Sequence, residues 1–297
     1  MKIFTFFAIL GCIFLMSLHQ KPYKKFLKNT GFVFVPSGNL SSNDKSQSIQ
    51  AFMMLDHEIT NLEYREFIHT CYLSKGDTLG ALAALPDTAV WSADSSRAFL
   101  FPLANLYYRH PAYNNYPVVN VSKTNAEKYC NWLTNIIRQT YTASTFNDFR
   151  LPTEQEWTYA AKGGLQVSPY PWGGPYTRNS KGCYLANFNT VGEHNLTSDE
   201  NGRPTLVSKG EFKADKIADG AFATCITKSY PPNGFGLYDM AGNVAEMIKD
   251  DNAAMGGHWN SYGNDIQVTS KISFDKANPF VGFRPVVTFL KTASKQD

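Results

Sequence analysis

Between Pro231 and Met247 the chain reads Pro-Pro-Asn-Gly-Phe-Gly-Leu-Tyr-Asp-Met-Ala-Gly-Asn-Val-Ala-Glu-Met, with neither helical periodicity nor strand alternation. Such a stretch predicts a shaped loop around which the rest of the chain must close. Pro231-Pro232-Asn233-Gly234 sets a turn, and Gly236 and Gly242 open backbone angles that other residues avoid. Asp239 and Glu246 follow, with Gly242 and Val244 between them where a curling backbone turns carbonyls to one side. Two carboxylates and two carbonyls suit calcium, which takes oxygen ligands in flexible geometry. The spacing equally describes a glycine-rich core turn with two solvated acids, and it is no EF-hand pattern. From the residues alone both readings stand.

A chain of 297 residues that is 43% hydrophobic buries a full core, as one large domain or two small ones. Its net charge of +3 is spread along the chain and gives no case for nucleic acid. The start, Met1-Lys2 and then an apolar run from Ile3 to Leu18, has the form of a secretory signal and predicts export. Residues 1–20 are thus a signal peptide or membrane anchor, and 21–30 a basic linker. Ile9-Leu10-Gly11-Cys12 has the ending of a bacterial lipobox, which makes Cys12 the lipidation candidate; cleavage nearer Gln20 and an uncleaved anchor are the alternatives. Cys71, Cys130, Cys183 and Cys225 form no CxxC pair, so zinc and thioredoxin-type readings have no support. They suit two disulfides of open connectivity in an oxidising compartment, or buried free thiols.

Taken in order, Gly31 to Pro36 reads as a strand, 39–48 as a polar loop and Ile49 to Leu55 as a second strand. Thr60 and Glu63 carry the capping-box pattern, before a helix with Leu62, Phe67 and Cys71 on one face. Residues 73–117 lack sustained periodicity and form a long structured insertion. Tyr116 to Val121 reads as a strand, and Ser122 with Asn125 caps a helix whose apolar face holds Ala126, Tyr129, Cys130, Leu133, Ile136 and Ile137. A short helix begins at Pro152 or Thr153 and ends at Gly163-Gly164; Glu154 and Glu156 suit its first turn electrostatically and need no acid/base role. From residue 165 on, loops and short strands dominate.

Five motifs occur in one order: Phe149-Arg-Leu-Pro-Thr-Glu-Gln-Glu-Trp157, Ala160-Ala-Lys-Gly-Gly164, Tyr170-Pro-Trp-Gly173, Asn233-Gly-Phe-Gly-Leu-Tyr-Asp-Met-Ala-Gly-Asn-Val-Ala-Glu246 and Val281-Gly-Phe-Arg284. With Glu58-Ile-Thr-Asn-Leu-Glu-Tyr-Arg-Glu-Phe67 and Tyr116-Pro-Val-Val-Asn-Val-Ser122, the series resembles the formylglycine-generating, or sulfatase-modifying factor, domain family over residues 31–290, leaving 291–297 as a tail. The resemblance implies one α+β domain of C-type-lectin-like type, with few short helices and strands and much irregular loop. Leu85-Pro-Asp-Thr-Ala-Val-Trp91, His110-Pro-Ala-Tyr-Asn-Asn-Tyr-Pro-Val-Val119 and Tyr170-Pro-Trp-Gly-Gly-Pro-Tyr-Thr-Arg-Asn-Ser-Lys-Gly-Cys-Tyr-Leu-Ala-Asn187 are similar to the gliding-motility lipoproteins of Bacteroidota, the GldJ/GldK class, non-catalytic relatives that work with type IX secretion machinery.

The family's catalytic members hold copper on two cysteines after a Gly-Gly-Ser-type turn. Here that turn is Gly256-Gly257-His258-Trp259, and the cysteine positions fall on Ser261 and Ile266, with no cysteine after Cys225. Neither residue supplies the thiolate that Cu(I) needs. The resemblance therefore implies no catalytic residues, no copper, and no iron of the kind bound by another branch. It does imply structural calcium at Asp239, the Gly242 and Val244 carbonyls and Glu246, and again at Asn187, the Phe188 carbonyl, Asp219 and the Ala221 carbonyl. An ion shared by Asn187 and Asp219 would bring Cys183 and Cys225 within reach of a disulfide, with Cys71–Cys130 as a weaker second pair. The implied function is an exported scaffold or binding module in the periplasm or at the outer membrane. Its partners are envelope, secretion or motility proteins, and it meets the membrane through the N-terminal anchor. An oxidoreductase of the parent family and an extracytoplasmic ligand-binding module, its groove left by the lost active site, are the alternatives.

Overall fold

The computed structural model describes residues 29–42, 45–140, 147–190, 196–198, 200, 204–206, 221 and 223–288. A central antiparallel sheet joins the two ends of the fold: β4 (Phe52–Leu55) lies between β1 (Phe32–Val35) and β11 (Val286–Thr288). Met54 faces Val33 on one side and Val286 on the other. A second sheet runs β10 (Val281–Gly282), β7 (Ala245–Met247), β8 (Ala253–Met255) and β9 (Lys271–Ser273), with β10 parallel to β7. Residues 39–48, expected as a loop, instead form most of an antiparallel hairpin of β2 (Gly38–Ser42) and β3 (Lys45–Ile49). Its polar alternation carried no apolar face to reveal it. A further pair, β5 (Leu196–Ser198) and β6 (Pro204–Leu206), completes the described strands.

Helix α1 (Asn61–Cys71) starts at the expected capping box: Glu63 N donates to Thr60 Oγ1, and Thr60 N donates to Glu63 Oε2 at 2.8 Å. Its buried face is Asn61, Tyr64, Phe67 and Ile68, so Leu62, placed inward from sequence, turns outward at 39% exposure. The insertion folds into 3-10 turns and two short helices, α2 (Thr78–Ala84) and α3 (Leu103–Leu106). Tyr116 to Val121 is no strand. It makes a single bridge, Thr60 to Pro117, and Asn120 takes a left-handed φ of 61° that breaks extension. Helix α4 (Lys123–Thr140) follows, with Asn125 N donating to Ser122 Oγ at 3.2 Å. Its predicted face buries Ala126, Tyr129, Cys130 and Ile137, and Tyr129 packs against Tyr64, Phe67 and Phe283.

The fifth helix, α5 (Glu154–Lys162), has the second capping box, Thr153 with Glu156, and Arg150 grips both Glu156 oxygens at 2.7 Å. Glu154 pairs with Lys271. Both acids of the first turn thus have structural partners, as their position suggested. Trp157 on α5 is fully buried among Phe52, Met54, Met240, Ile248 and Met255, and so locks the helix between the two sheets. The helix ends on Gly163 in a left-handed turn, where a Cβ would lie 2.7 Å from Gly234 N. That contact seats the 231–247 loop against α5.

Candidate functional site

The 231–247 stretch stays irregular until Ala245, as its composition predicted, and four of its residues take left-handed φ: Gly236, Asp239, Gly242 and Asn243. At Gly242 a Cβ would stand 2.2 Å from the Asn187 carbonyl oxygen, so only glycine admits this approach. Gly242 N donates to Gly256 O at 2.9 Å and Asn243 N to Asn187 O at 2.7 Å. The loop therefore ties together the 185–190 segment and the Gly256-Gly257 turn.

Asn243 is the hub of the site, and spacing did not single it out. It is buried; its Nδ2 donates to Glu58 Oε1 at 3.0 Å, while its Oδ1 accepts from Cys225 N at 2.9 Å and from Asn187 Nδ2 at 3.3 Å. An asparagine directly after a turn glycine was the available signal, since asparagine tolerates left-handed angles and bonds locally.

Asp239 and Glu246 both lie in this interior. Asp239 is 6% exposed; its Oδ2 accepts from Lys228 N at 2.5 Å, and its Oδ1 is buried with no hydrogen-bond partner. Burial, opposed in part by that backbone bond, pushes its carboxyl up to about 6. Glu246 meets Arg284, whose Nε donates to Oε2 at 2.9 Å and NH2 to Oε1 at 2.6 Å, while Trp157 Nε1 adds a bond to Oε2 at 2.8 Å. Acceptor capacity for a cation therefore remains on Glu246 Oε1, which takes a single donor. Arg284 is fully buried and also donates to Leu55 O and Tyr238 O, so it anchors the late turn through an ion pair and two carbonyls.

Among the described residues no three His, Cys, Asp or Glu side chains are grouped for a metal. A zinc-type cluster is not what this interior offers. An orphaned, buried Asp239 oxygen in a loop of curled backbone does fit an oxygen-preferring ion such as calcium. At the second expected set, Asn187 is buried and gives its Nδ2 to Ala223 O at 2.8 Å; Phe188 is buried and Ala221 half-buried. Asp219, like Cys12, lies outside the described residues.

The cysteines correct one expectation. Cys71, Cys130, Cys183 and Cys225 are all free thiols, so neither the Cys183–Cys225 nor the Cys71–Cys130 disulfide is formed. Cys183 stands exposed on the turn closed by Asn179, whereas Cys225 points inward with its Sγ 3.5 Å from Asn243 Oδ1. Their chain spans permitted an approach, but one thiol is exposed and the other lies against buried Asn243. Burial, with the Asp239 and Glu58 charges, pushes the Cys225 thiol far above its ordinary range.

Ser261 and Ile266, in the copper-cysteine positions, are both buried. His258 N donates to Ser261 Oγ at 3.1 Å, and Ile266 is 0% exposed among Tyr170, Ala186, Phe188 and Ala241. His258 stacks on Phe280 and accepts from Asn260 N at 3.2 Å, a packing arrangement. A groove of about 890 Å³ opens between the β2–β3 hairpin, α5 and residues 166–169, and neither Ser261 nor Ile266 lines it.

The fold and site define a single α+β domain with short helices, small sheets and irregular loops. Two solved structures share it. CarF aligns at a TM-score of 0.54 with 20% identity, covering 86% of this chain and 97% of CarF. PvdO from Pseudomonas aeruginosa aligns at 0.54 with 17% identity, covering 87% and 94%. At such identities the likeness shows the fold alone. The sequence goes further: the chain belongs to the Sulfatase-modifying factor enzyme 1-like domain family, whose profile matches residues 19–289. It is similar to the mouse formylglycine-generating enzyme, 28% identical over 220 residues, covering 68% of this chain and spanning 50% of that protein's length. It is similar also to the bovine inactive C-alpha-formylglycine-generating enzyme 2, 26% identical over 270 residues that cover 80% of this chain and 77% of that protein.

Proposed function

We propose that this chain is an exported, non-catalytic member of the family, a scaffold or binding module of the cell envelope working beside gliding-motility and type IX secretion components, with calcium as a structural ion. The observation that carries the non-catalytic reading is the replacement of both copper-site cysteines. Ser261 binds back to its own turn, and Ile266 is sealed into an apolar cluster, so no sulfur donor stands where the chemistry requires one. Similarity to the bovine protein described as inactive supports it. The export and envelope assignments rest on the apolar start and on the motifs shared with gliding-motility lipoproteins. Calcium rests on the curled 239–246 backbone and the unpaired Asp239 oxygen.

The deciding assay incubates the purified protein with copper or iron and a Cys-x-Pro-x-Arg peptide, and reads the peptide mass. The expected outcome is unmodified cysteine in every metal condition. Metal-dependent conversion to formylglycine would overturn the scaffold assignment and restore the oxidase one.

A further inference from the structure

Helix α2 lies in the insertion after α1, outside the site described above. Its sequence, Thr-Leu-Gly-Ala-Leu-Ala-Ala, carries no charge. Inward it packs small residues: Ala81 and Ala84 are buried, and a Cβ on Gly80 would lie 2.6 Å from the Tyr72 ring. Successive residues turn by about 100°, so Leu79, Leu82 and Ala83 share the opposite face. Leu79 is 79% exposed and Leu82 64%; Ala83 is exposed too, and so is Leu73 in the turn that leads into the helix. A surface helix ordinarily turns its large apolar residues to the core and its polar ones to water. Here the alanines face the core and the leucines face out.

The helix is pinned in that orientation. Asp77 Oδ1 accepts from Gly80 N at 2.8 Å at its start. At its end Ala83 O accepts from Asn125 Nδ2 of α4 at 3.0 Å, and Ala84 O from Tyr64 Oη of α1 at 2.8 Å. A roll that buried the leucines would break the bonds to α1 and α4 and bring larger side chains against Tyr72, where glycine now fits.

Two features choose the occupant of this face. Three leucines and an alanine offer far less than the roughly 800 Å² per partner that a stable protein–protein interface buries, so a second copy of this chain would not be held by them. The chain does carry a second attachment. In the envelope reading above, the apolar run ending at Leu18 is a membrane anchor, and the described fold begins at Asn29. The steps between them span up to about 40 Å. Gly31 lies against His57, whose Nε2 is 3.3 Å from Glu63 in the first turn of α1. From there α1 runs about 15 Å to the turn holding Leu73. The tether is therefore long enough for the anchor and the leucine face to meet one bilayer. A weak apolar contact added to a tether is the pair of signals by which a peripheral domain holds a membrane.

We infer that the outer face of α2 seats the domain on a lipid bilayer, Leu79 and Leu82 entering the acyl boundary and fixing how the tethered domain stands. The choice of a bilayer rests on the membrane-anchor reading, and the experiment separates the two. Purified full-length protein is reconstituted into phosphatidylcholine vesicles with and without brominated acyl chains. Leu79→Trp is compared with Val167→Trp, an exposed apolar position beside α5, each read against wild type. Brominated lipid should quench the emission added at Leu79 at least twofold more than that added at Val167. The difference should persist at high salt, because the face carries no charge.

Vesicles should also slow amide hydrogen exchange over residues 73–84 at least threefold in wild type. Leu79→Ser with Leu82→Ser should lose that slowing while still floating with the vesicles and keeping its melting temperature, and this arm serves if a tryptophan variant fails to fold. Equal quenching at both positions in protein that resists alkaline carbonate overturns the inference and leaves the anchor standing. Shielding of the Leu79 reporter from acrylamide before vesicles are added also overturns it, by giving the face to another part of the chain or to a second copy. Protein that carbonate strips from the vesicles, and that shows no quenching at Leu79, removes both readings.

Discussion

Arg284 shows what one fully buried guanidinium does here: it joins Glu246 on β7 to Leu55 at the end of β4 and to the Tyr238 carbonyl in the central loop. Replacing it by methionine keeps most of the volume but strands Glu246 in the interior. The loss should be about 3–5 kcal/mol, read as a lower denaturant midpoint at unchanged slope. A second buried charge group makes stability depend on pH. Burial works to lower the His57 pKa, but the hydrogen bonds its ring donates to Asp56 and Glu63 outweigh it and hold the ring at about 9, against 6.5 ordinarily. A raised pKa means stabilisation that is complete below about pH 6.5 and lost as pH climbs through 9. Unfolding free energy should fall over that window by at most about 3 kcal/mol, and His57→Gln should flatten the fall. At this scale the sequence was legible by residue type more than by partner. Asp239 and Glu246 stood out as carboxylates in a glycine-rich loop, whereas nothing in Asp56-His57-Glu58 marks which acid turns inward, because that depends on Asn243, 185 residues away.

Elements with a strong local signal were readable, and those held by distant contacts were not. Helix α4 showed itself through its apolar stripe, and α1 and α5 through their capping boxes. The strands β7, β8 and β9 have three residues each, too few to display alternation, and they exist because the loop and α5 press them together. Leu62 was misplaced for a related reason: the inward direction of α1 is set by Tyr64 and Phe67 meeting α4, which a single helix's pattern leaves ambiguous. The junction of α5 with the central loop gives a sharp test. At Gly234 a Cβ would lie 2.3 Å from the Gly163 carbonyl oxygen, against main chain that has no rotamer to yield. Gly234→Ala should cost about 1–3 kcal/mol, as overpacking does, and lower the melting temperature without disturbing α4.

For the whole molecule, the ordered motifs identified the family, and the described residues after 165 proved as poor in regular structure as the glycine, proline and asparagine content implied. What the motifs did not reveal was the setting of Ile266, since its place in the chain could be read but not its burial with Tyr170, Ala186 and Phe188. The central sheet has one more consequence. β1 and β11 are each antiparallel to β4, so they run parallel to one another with β4 between them. Traction applied before β1 and after β11 pulls these flanking strands in opposite directions along their length, and loads all their hydrogen bonds to β4 together instead of peeling them one at a time. A domain tethered at one end and hauled at the other meets the force in shear, the arrangement in which a short sheet resists tearing best.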